Sequence, residues 1–262
     1  VFEMLKSRLD KLHSCFDGTC NPDGPEHWLL EFMNSGADVF RQSYTIYDNP
    51  YLPKEFVENL EREYRGTVYF DRFILGKWTR AEGLVYPMFD RRKHTFSDPP
   101  ADGRYFISID YGTVNPTSMG LWCVAGGRAY RIREFYHDSR RELRRLTDGD
   151  YYERLCALAG DLPVEYVVVD PSAASFITLI RREGRFCVLK AKNSVTDGIR
   201  YCAGLINDGK IMIHNSCRDT LREFGAYSWD EKACTDCVIK ENDHAMDDIR
   251  YFFTTVWRRF FD

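Results

Sequence analysis

No run of apolar residues in this 262-residue chain approaches the roughly 20 needed to cross a bilayer. No secretory leader is visible either, because Val1 to Asp17 is charged throughout. The first residue is Val rather than Met, as expected of a piece of a longer polypeptide. A Gly-x4-Gly-Lys-Ser/Thr phosphate loop is also missing, so no ATP hydrolysis is expected of this stretch alone. Nor is there an excess of positive charge. With 36 Lys and Arg against 40 Asp and Glu, the net charge of −4 does not announce a nucleic-acid binder. Cysteine is present but odd in number, at nine. Cys123, Cys156, Cys187 and Cys202 lie in periodic, core-like positions, which predicts reduced thiols of a cytoplasmic protein. Cys234 and Cys237 have the spacing of half a zinc site, but no second close pair completes it, so a reduced hairpin tip is expected.

The chain does have the means to build a core: 44% of its residues are hydrophobic and 15% aromatic, enough for one large domain or two modest ones. Its basic residues are clustered at Arg91-Arg92-Lys93, at Arg140, Arg141, Arg144 and Arg145, at Arg181-Arg182, and at Lys190 with Lys192. A solvated face is the expected role of the Arg140–Arg145 group.

From Val1 to about Trp78 the text reads as helices and loops. Helical spacing of apolar residues occurs at Phe2–Leu9, His27–Met33 and Lys54–Tyr64, with turn formers at Gly18–Gly24 and Asn49–Pro53. Gly83–Gly103, rich in proline, reads as a linker. Beyond it the pattern becomes strands and helices. Tyr105–Asp110, Met119–Ala125 and Arg128–Tyr136 are predicted strands, the last two joined by Gly126-Gly127. A helix Leu143–Ala159, strand Glu165–Asp170, helix Ala173–Glu183, strand Phe186–Ala191, helix Thr196–Asn207 and strand Lys210–His214 follow. A helix from Cys217, a hairpin near Tyr227–Lys240 and a long helix from about Asp243 complete the reading. Three antiparallel strands and then βα alternation predict an RNase H-like α/β domain, a mixed sheet flanked by helices.

Three acidic stretches have chemical meaning together. Strand alternation puts Tyr105, Ile107 and Ile109 on one face and Phe106, Ser108 and Asp110 on the other. Asp110 and Asp170 each stand where a strand gives way to a loop, the edge at which ligands gather in open α/β sheets. On the last helix, His244, Asp247, Asp248 and Tyr251 fall on one face, with Ala245, Ile249, Phe252, Phe253, Val256 and Phe260 on the opposite one. Converging carboxylates repel unless a hard cation sits between them. Two Mg²⁺ or Mn²⁺ ions held by Asp110, Asp170 and Asp247 would suit phosphodiester displacement, with Asp110 bridging and His244 completing a shell or relaying a proton. A single strand-end Asp is ordinarily a turn or cap, and a lone helical His is ordinarily at the surface; the weight rests on the conjunction.

The chain resembles the C-terminal part of the large terminase subunit of tailed phages, the motor and nuclease of DNA packaging. Gly18-Thr19-Cys20-Asn21-Pro22 resembles that family's ATPase coupling motif. Asp48-Asn49-Pro50, Tyr69–Trp78 and Glu82–Pro87 resemble the end of its ATPase domain and the linker. Ile109–Gly112, Val169–Ala173 and Asn242–Asp247 resemble the three acidic motifs of its nuclease. The resemblance implies an ATPase-domain remnant with linker over 1–97 and an RNase H-like nuclease over 98–262. It implies Asp110, Asp170 and Asp247 as metal ligands, with His244 as a fourth catalytic residue. It further implies a metal-dependent endonuclease acting on concatemeric double-stranded DNA in the bacterial host cytoplasm, with no membrane partner. The portal protein and the small terminase subunit are the implied partners, with an oligomer on the portal and a monomer in solution left open. The family's hairpin before the last motif limits DNA access, which suggests a gate at Tyr227–Lys240. Asp248 is acidic where the family commonly has a small residue, so its part in metal binding stays open. Another RNase H-like phosphotransferase of resolvase or transposase type, or a non-catalytic DNA or portal docking module, are the alternatives.

Overall fold

The computed structural model describes Met4, residues 8–233 and residues 235–262. The helical spacing at residues 2–9 falls largely outside the described residues, as does Cys234. The first part contains α1 (Trp28–Asn34), α2 (Lys54–Tyr64) and a π-helical turn at Phe70–Ile74. α3 (Arg91–His94) and β1 (Thr95–Phe96) follow inside the segment expected to be linker.

The sheet is then completed by β2 (Arg104–Asp110), β3 (Thr117–Ala125), β4 (Arg128–His137), β5 (Val164–Val169), β6 (Val188–Lys190) and β7 (Ile211–His214). Its order is β1-β7-β4-β3-β2-β5-β6. β3 is antiparallel to both its neighbours, and all other pairings are parallel. The C-terminal ends of β4, β2, β5 and β6 therefore share one edge with the start of β3. This is the expected RNase H-like order. β1 pairs with β7, so residues before 98 already contribute to the sheet.

The helices are α4 (Asp148–Ala159), α5 (Ala174–Glu183), α6 (Val195–Asn207), α7 (Arg218–Phe224) and α8 (His244–Phe252). α8 runs on through a π-helical turn, Phe253–Trp257, into α9 (Arg258–Phe260). None of the described helices is long and apolar enough to cross a membrane. α4 starts five residues later than its apolar spacing predicts, because Thr147 and Asp150 form a reciprocal capping box. Residues 143–147 are instead loop, with Leu143 at φ +52°.

The alternation in β2 sorts two cores. Ile107 and Ile109 join Leu155, Phe176 and Ile180 on the side of α4 and α5. Phe106 joins Trp122, Phe252, Ile199 and Phe224 on the side of α6, α7 and α8. Of the thiols expected to be core-like, Cys123 and Cys202 are buried, Cys156 is half-buried and Cys187 is exposed. Cys187 lies just outside the short β6, so its periodic spacing does not reach the core.

Candidate metal-binding active site

The site is built where β2 and β5 end side by side. Asp170 N–H donates to the Ile109 carbonyl at 3.3 Å, which fixes the two strand ends together. α8 crosses this edge and makes two contacts with its acids. His244 Nδ1 lies 2.9 Å from Asp110 Oδ2. Tyr251 Oη–H donates to Asp170 Oδ2 at 3.1 Å. Asp247, in the first turn, pairs with Arg250 at 2.8 Å. Asp170 Oδ1 accepts from Ser172 N–H at 2.8 Å. Asp243, just before α8, adds a fourth carboxylate, with Oδ1 3.7 Å from His244 Nε2 and Oδ2 3.5 Å from Lys240 Nζ. Lys240 Nζ is also 4.0 Å from Asp247.

Burial pushes the Asp110 carboxyl up to about 7; the His244 hydrogen bond opposes this, while the charges of Asp247 and Asp170 add to it. Burial alone would lower His244, but the bond to Asp110 and the charges of Asp110, Asp243 and Glu223 together raise it. Burial and the neighbouring acids thus both disfavour the ionised Asp110 carboxylate, against the pull of His244. Among the described residues no three His, Cys, Asp or Glu side chains are closed into a metal cage. The acids share an edge and a field rather than a finished shell.

The sign of the Asp110 shift gives a test. A carboxyl that binds its proton more tightly folded than unfolded costs stability above its folded pKa and is relieved as pH falls through it. The raised His244 contributes stability that is lost as pH rises, so both groups act in one direction. In EDTA, thermal stability is expected to fall as pH rises from about 4, the ordinary carboxyl range, to about 7. Asp110→Asn should flatten that dependence; an equal pH dependence in the two proteins would contradict the reading.

Position is supplied by half-buried Glu134 and fully buried Glu223, which sequence reasoning missed. Glu134 on β4 accepts Asp219 N–H at 2.9 Å and Thr220 N–H at 3.0 Å, capping the start of α7. Glu223, at the end of α7, accepts Ala245 N–H at 2.6 Å and Tyr136 Oη–H at 2.6 Å. A carboxylate at a helix N-terminus also meets the favourable end of its dipole. The chain of caps runs from the sheet through α7 to the turn that presents His244.

The structure changes the expected faces of α8. All its residues from Ala245 to Phe252 are buried, so it has no open polar face; only His244 keeps partial access. Phe260, assigned to the packed face, is only half-buried. Asp248 points away from the acids into the sheet, with 0% exposure. It pairs with fully buried Arg131 and accepts from Ser108 Oγ at 2.9 Å and from Ser118 Oγ. Ser108 also accepts the Trp122 indole N–H at 2.8 Å. Gly120 leaves the guanidinium its path, since a Cβ there would collide with it. Asp248 is therefore the counter-charge of a buried arginine beneath Asp110. Helix periodicity could not find this, because the partner lies on a strand 117 residues away.

Among the described residues, the expected hairpin pairs through an antiparallel bridge, Trp229 with Val238, flanked by hydrogen bonds from Asp230 N–H to the Cys237 carbonyl and from Ile239 N–H to the Ser228 carbonyl. Its outer part is tied to the first portion of the chain. Buried Arg72 grips Asp236, Arg80 donates to the Glu231 carbonyl at 2.8 Å, and Leu84 bridges Ser228.

With fold and site in view, the relatives are informative. A sequence profile described as "Terminase large subunit, T4likevirus-type, N-terminal" matches residues 18–93. The large terminase subunit of Escherichia phage T5 is 24% identical over 97% of this chain and 61% of its own length. The large terminase of a thermophilic bacteriophage, solved in complex with ATP-gamma-S, is 39% identical with a TM-score of 0.89. That match covers 97% of this chain and 66% of the phage enzyme's chain. The chain belongs to the terminase large subunit family. It spans about 61% of the length of its T5 relative. The large terminase nuclease of thermophilic phage G20c with bound magnesium superposes with a TM-score of 0.51 at 18% identity, over 67% of this chain and 99% of that one. At that identity it supports the fold alone, and the fold is that of a terminase nuclease domain.

Proposed function

We propose that this terminase chain is a metal-dependent endodeoxyribonuclease that cuts concatemeric double-stranded DNA during genome packaging. The observation that carries the reading is the burial of Asp110 at the β2 end, in the combined field of Asp170 and Asp247. Asp110, Asp170 and Asp247 would hold two divalent ions, Mg²⁺ or Mn²⁺, and the G20c nuclease is a relative solved with bound magnesium. Such ions supply charge neutralisation at the attacking and leaving oxygens of phosphodiester hydrolysis. The protein's own groups do the rest. His244 holds Asp110 in orientation and stands ready to carry a proton, Tyr251 fixes Asp170, and Arg250 fixes Asp247. Residues 1–97 are assigned to the end of the packaging ATPase domain with its linker, and 98–262 to the nuclease. Portal protein and small terminase subunit are the proposed partners, with an oligomer on the portal.

Incubation of supercoiled plasmid with the chain and Mn²⁺ tests this reading. Nicked and linear products that vanish in EDTA are expected. Intact plasmid with Mn²⁺ across a range of protein concentrations would instead leave the fold as a docking module.

A further inference from the structure

The edge that carries Asp110 and Asp170 carries basic residues on both flanks. On one side, β4 ends at His137 and the loop 138–146 presents Arg140, Arg141, Arg144 and Arg145, all exposed. On the other, β6 ends at exposed Lys190, register partner of Val169, and exposed Lys192 follows. The strand order between them is β4-β3-β2-β5-β6, so the carboxylates lie between the two groups. Four inter-strand steps at about 4.8 Å give a span of roughly 19 Å. At about 3.4 Å per nucleotide along one strand, this matches five or six phosphates.

The arginine loop is pinned and its acids are already engaged. Asp138 Oδ1 accepts Arg140 N–H at 3.0 Å and Arg141 N–H at 3.2 Å. Glu142 lies 3.1 Å from His137 Nδ1, and His137 Nε2 is 2.9 Å from the Arg144 carbonyl oxygen. Arg140 donates to Asn115 Oδ1 at 3.5 Å and Ser139 to the Thr113 carbonyl at 3.5 Å, which holds the loop against the segment that follows Asp110. Among the described residues, none of the four guanidiniums is in an ion pair. Across the site, the backbone of Lys192 is fixed by Thr255 Oγ1 at 2.9 Å and Thr254 Oγ1 at 3.0 Å. A site lined by carboxylates repels phosphate, and fixed cations on both sides offset that repulsion where a backbone must cross.

We infer that Arg140, Arg141, Arg144 and Arg145 on one side, and Lys190 and Lys192 on the other, form a two-sided phosphate rail. The rail lays duplex DNA across the carboxylate edge. The inference rests on the nuclease reading for its choice of ligand. It takes the arginine group beyond the solvated face expected from sequence.

Anisotropy of a labelled DNA duplex, titrated at several KCl concentrations in EDTA and again in Ca²⁺, tests it. The proteins are wild type, the quadruple variant Arg140→Gln, Arg141→Gln, Arg144→Gln, Arg145→Gln, and the double variant Lys190→Gln, Lys192→Gln. Each lost phosphate contact lowers the slope of log K against log salt by about 0.9. The quadruple variant is expected to lose about two units of slope or more and the double about one, with unchanged melting temperature. Wild-type slope and affinity in both variants would overturn the rail, as would a wild-type chain that binds no duplex in either buffer. Plasmid cleavage by wild type, measured separately, keeps the two readings distinct: a chain that cuts but whose variants keep the wild-type slope refutes the rail alone.

Discussion

Asp248→Ala is expected to cost about 3–5 kcal/mol of folding stability, the penalty of leaving a fully buried guanidinium without its counter-charge. Arg131 and Asp248 are both at 0% exposure, and the serines and Trp122 around them are buried as well, so water cannot replace the lost carboxylate. Arg131→Met alone should cost a similar amount by orphaning Asp248. The double change Arg131→Met with Asp248→Leu should recover most of the loss, because apolar replacements of a buried pair are often neutral. Urea denaturation of wild type, Asp248→Ala, Arg131→Met and the double variant reads these three costs. A loss under about 1 kcal/mol in Asp248→Ala would show that the pair is not the anchor beneath Asp110.

Asp110→Asn should have the opposite profile. It removes a charge with little change of volume, so the metal-free protein at pH 8 should become more stable while plasmid cleavage falls by about 10³-fold or more. Several kcal/mol of transition-state stabilisation from the ions would go with it. Gain of stability with loss of activity is the mark of a carboxylate kept for chemistry at the expense of the fold. Asp247→Asn should also lose cleavage, but with a stability cost, since Arg250 is buried and pairs with it at 2.8 Å. Cleavage retained in Asp110→Asn, with stability unchanged, would remove Asp110 from the site.

The strands were legible as short apolar runs bounded by turn formers, and because successive side chains on a strand alternate faces, Phe106, Ser108 and Asp110 do share the α8 face. The positions of Asp110, Asp170 and His244 at one edge were legible from strand ends and helical spacing. What hid was long-range pairing. Asp247 and Asp248 differ by about 100° on the helix, and only Arg131 explains which way the second one points. Helix periodicity put Asp247 and Asp248 together on one polar face of α8, yet their charges are met by Arg250 and Arg131, and Ala245 to Phe252 are all buried. Glu223 and Glu134 gave no local signal, since each caps a helix it does not belong to, or whose start is far away in the chain. The late start of α4 was written in Thr147 and Asp150 but lost to the stronger apolar spacing before it.

Anomalous diffraction from a crystal of the chain soaked in Mn²⁺ tests the central claim most directly. The account predicts two manganese peaks between Asp110, Asp170 and Asp247, separated by about 3.5–4 Å, with Asp248 still on Arg131. Manganese bound elsewhere, or an edge that stays free of metal at saturating Mn²⁺, would contradict it.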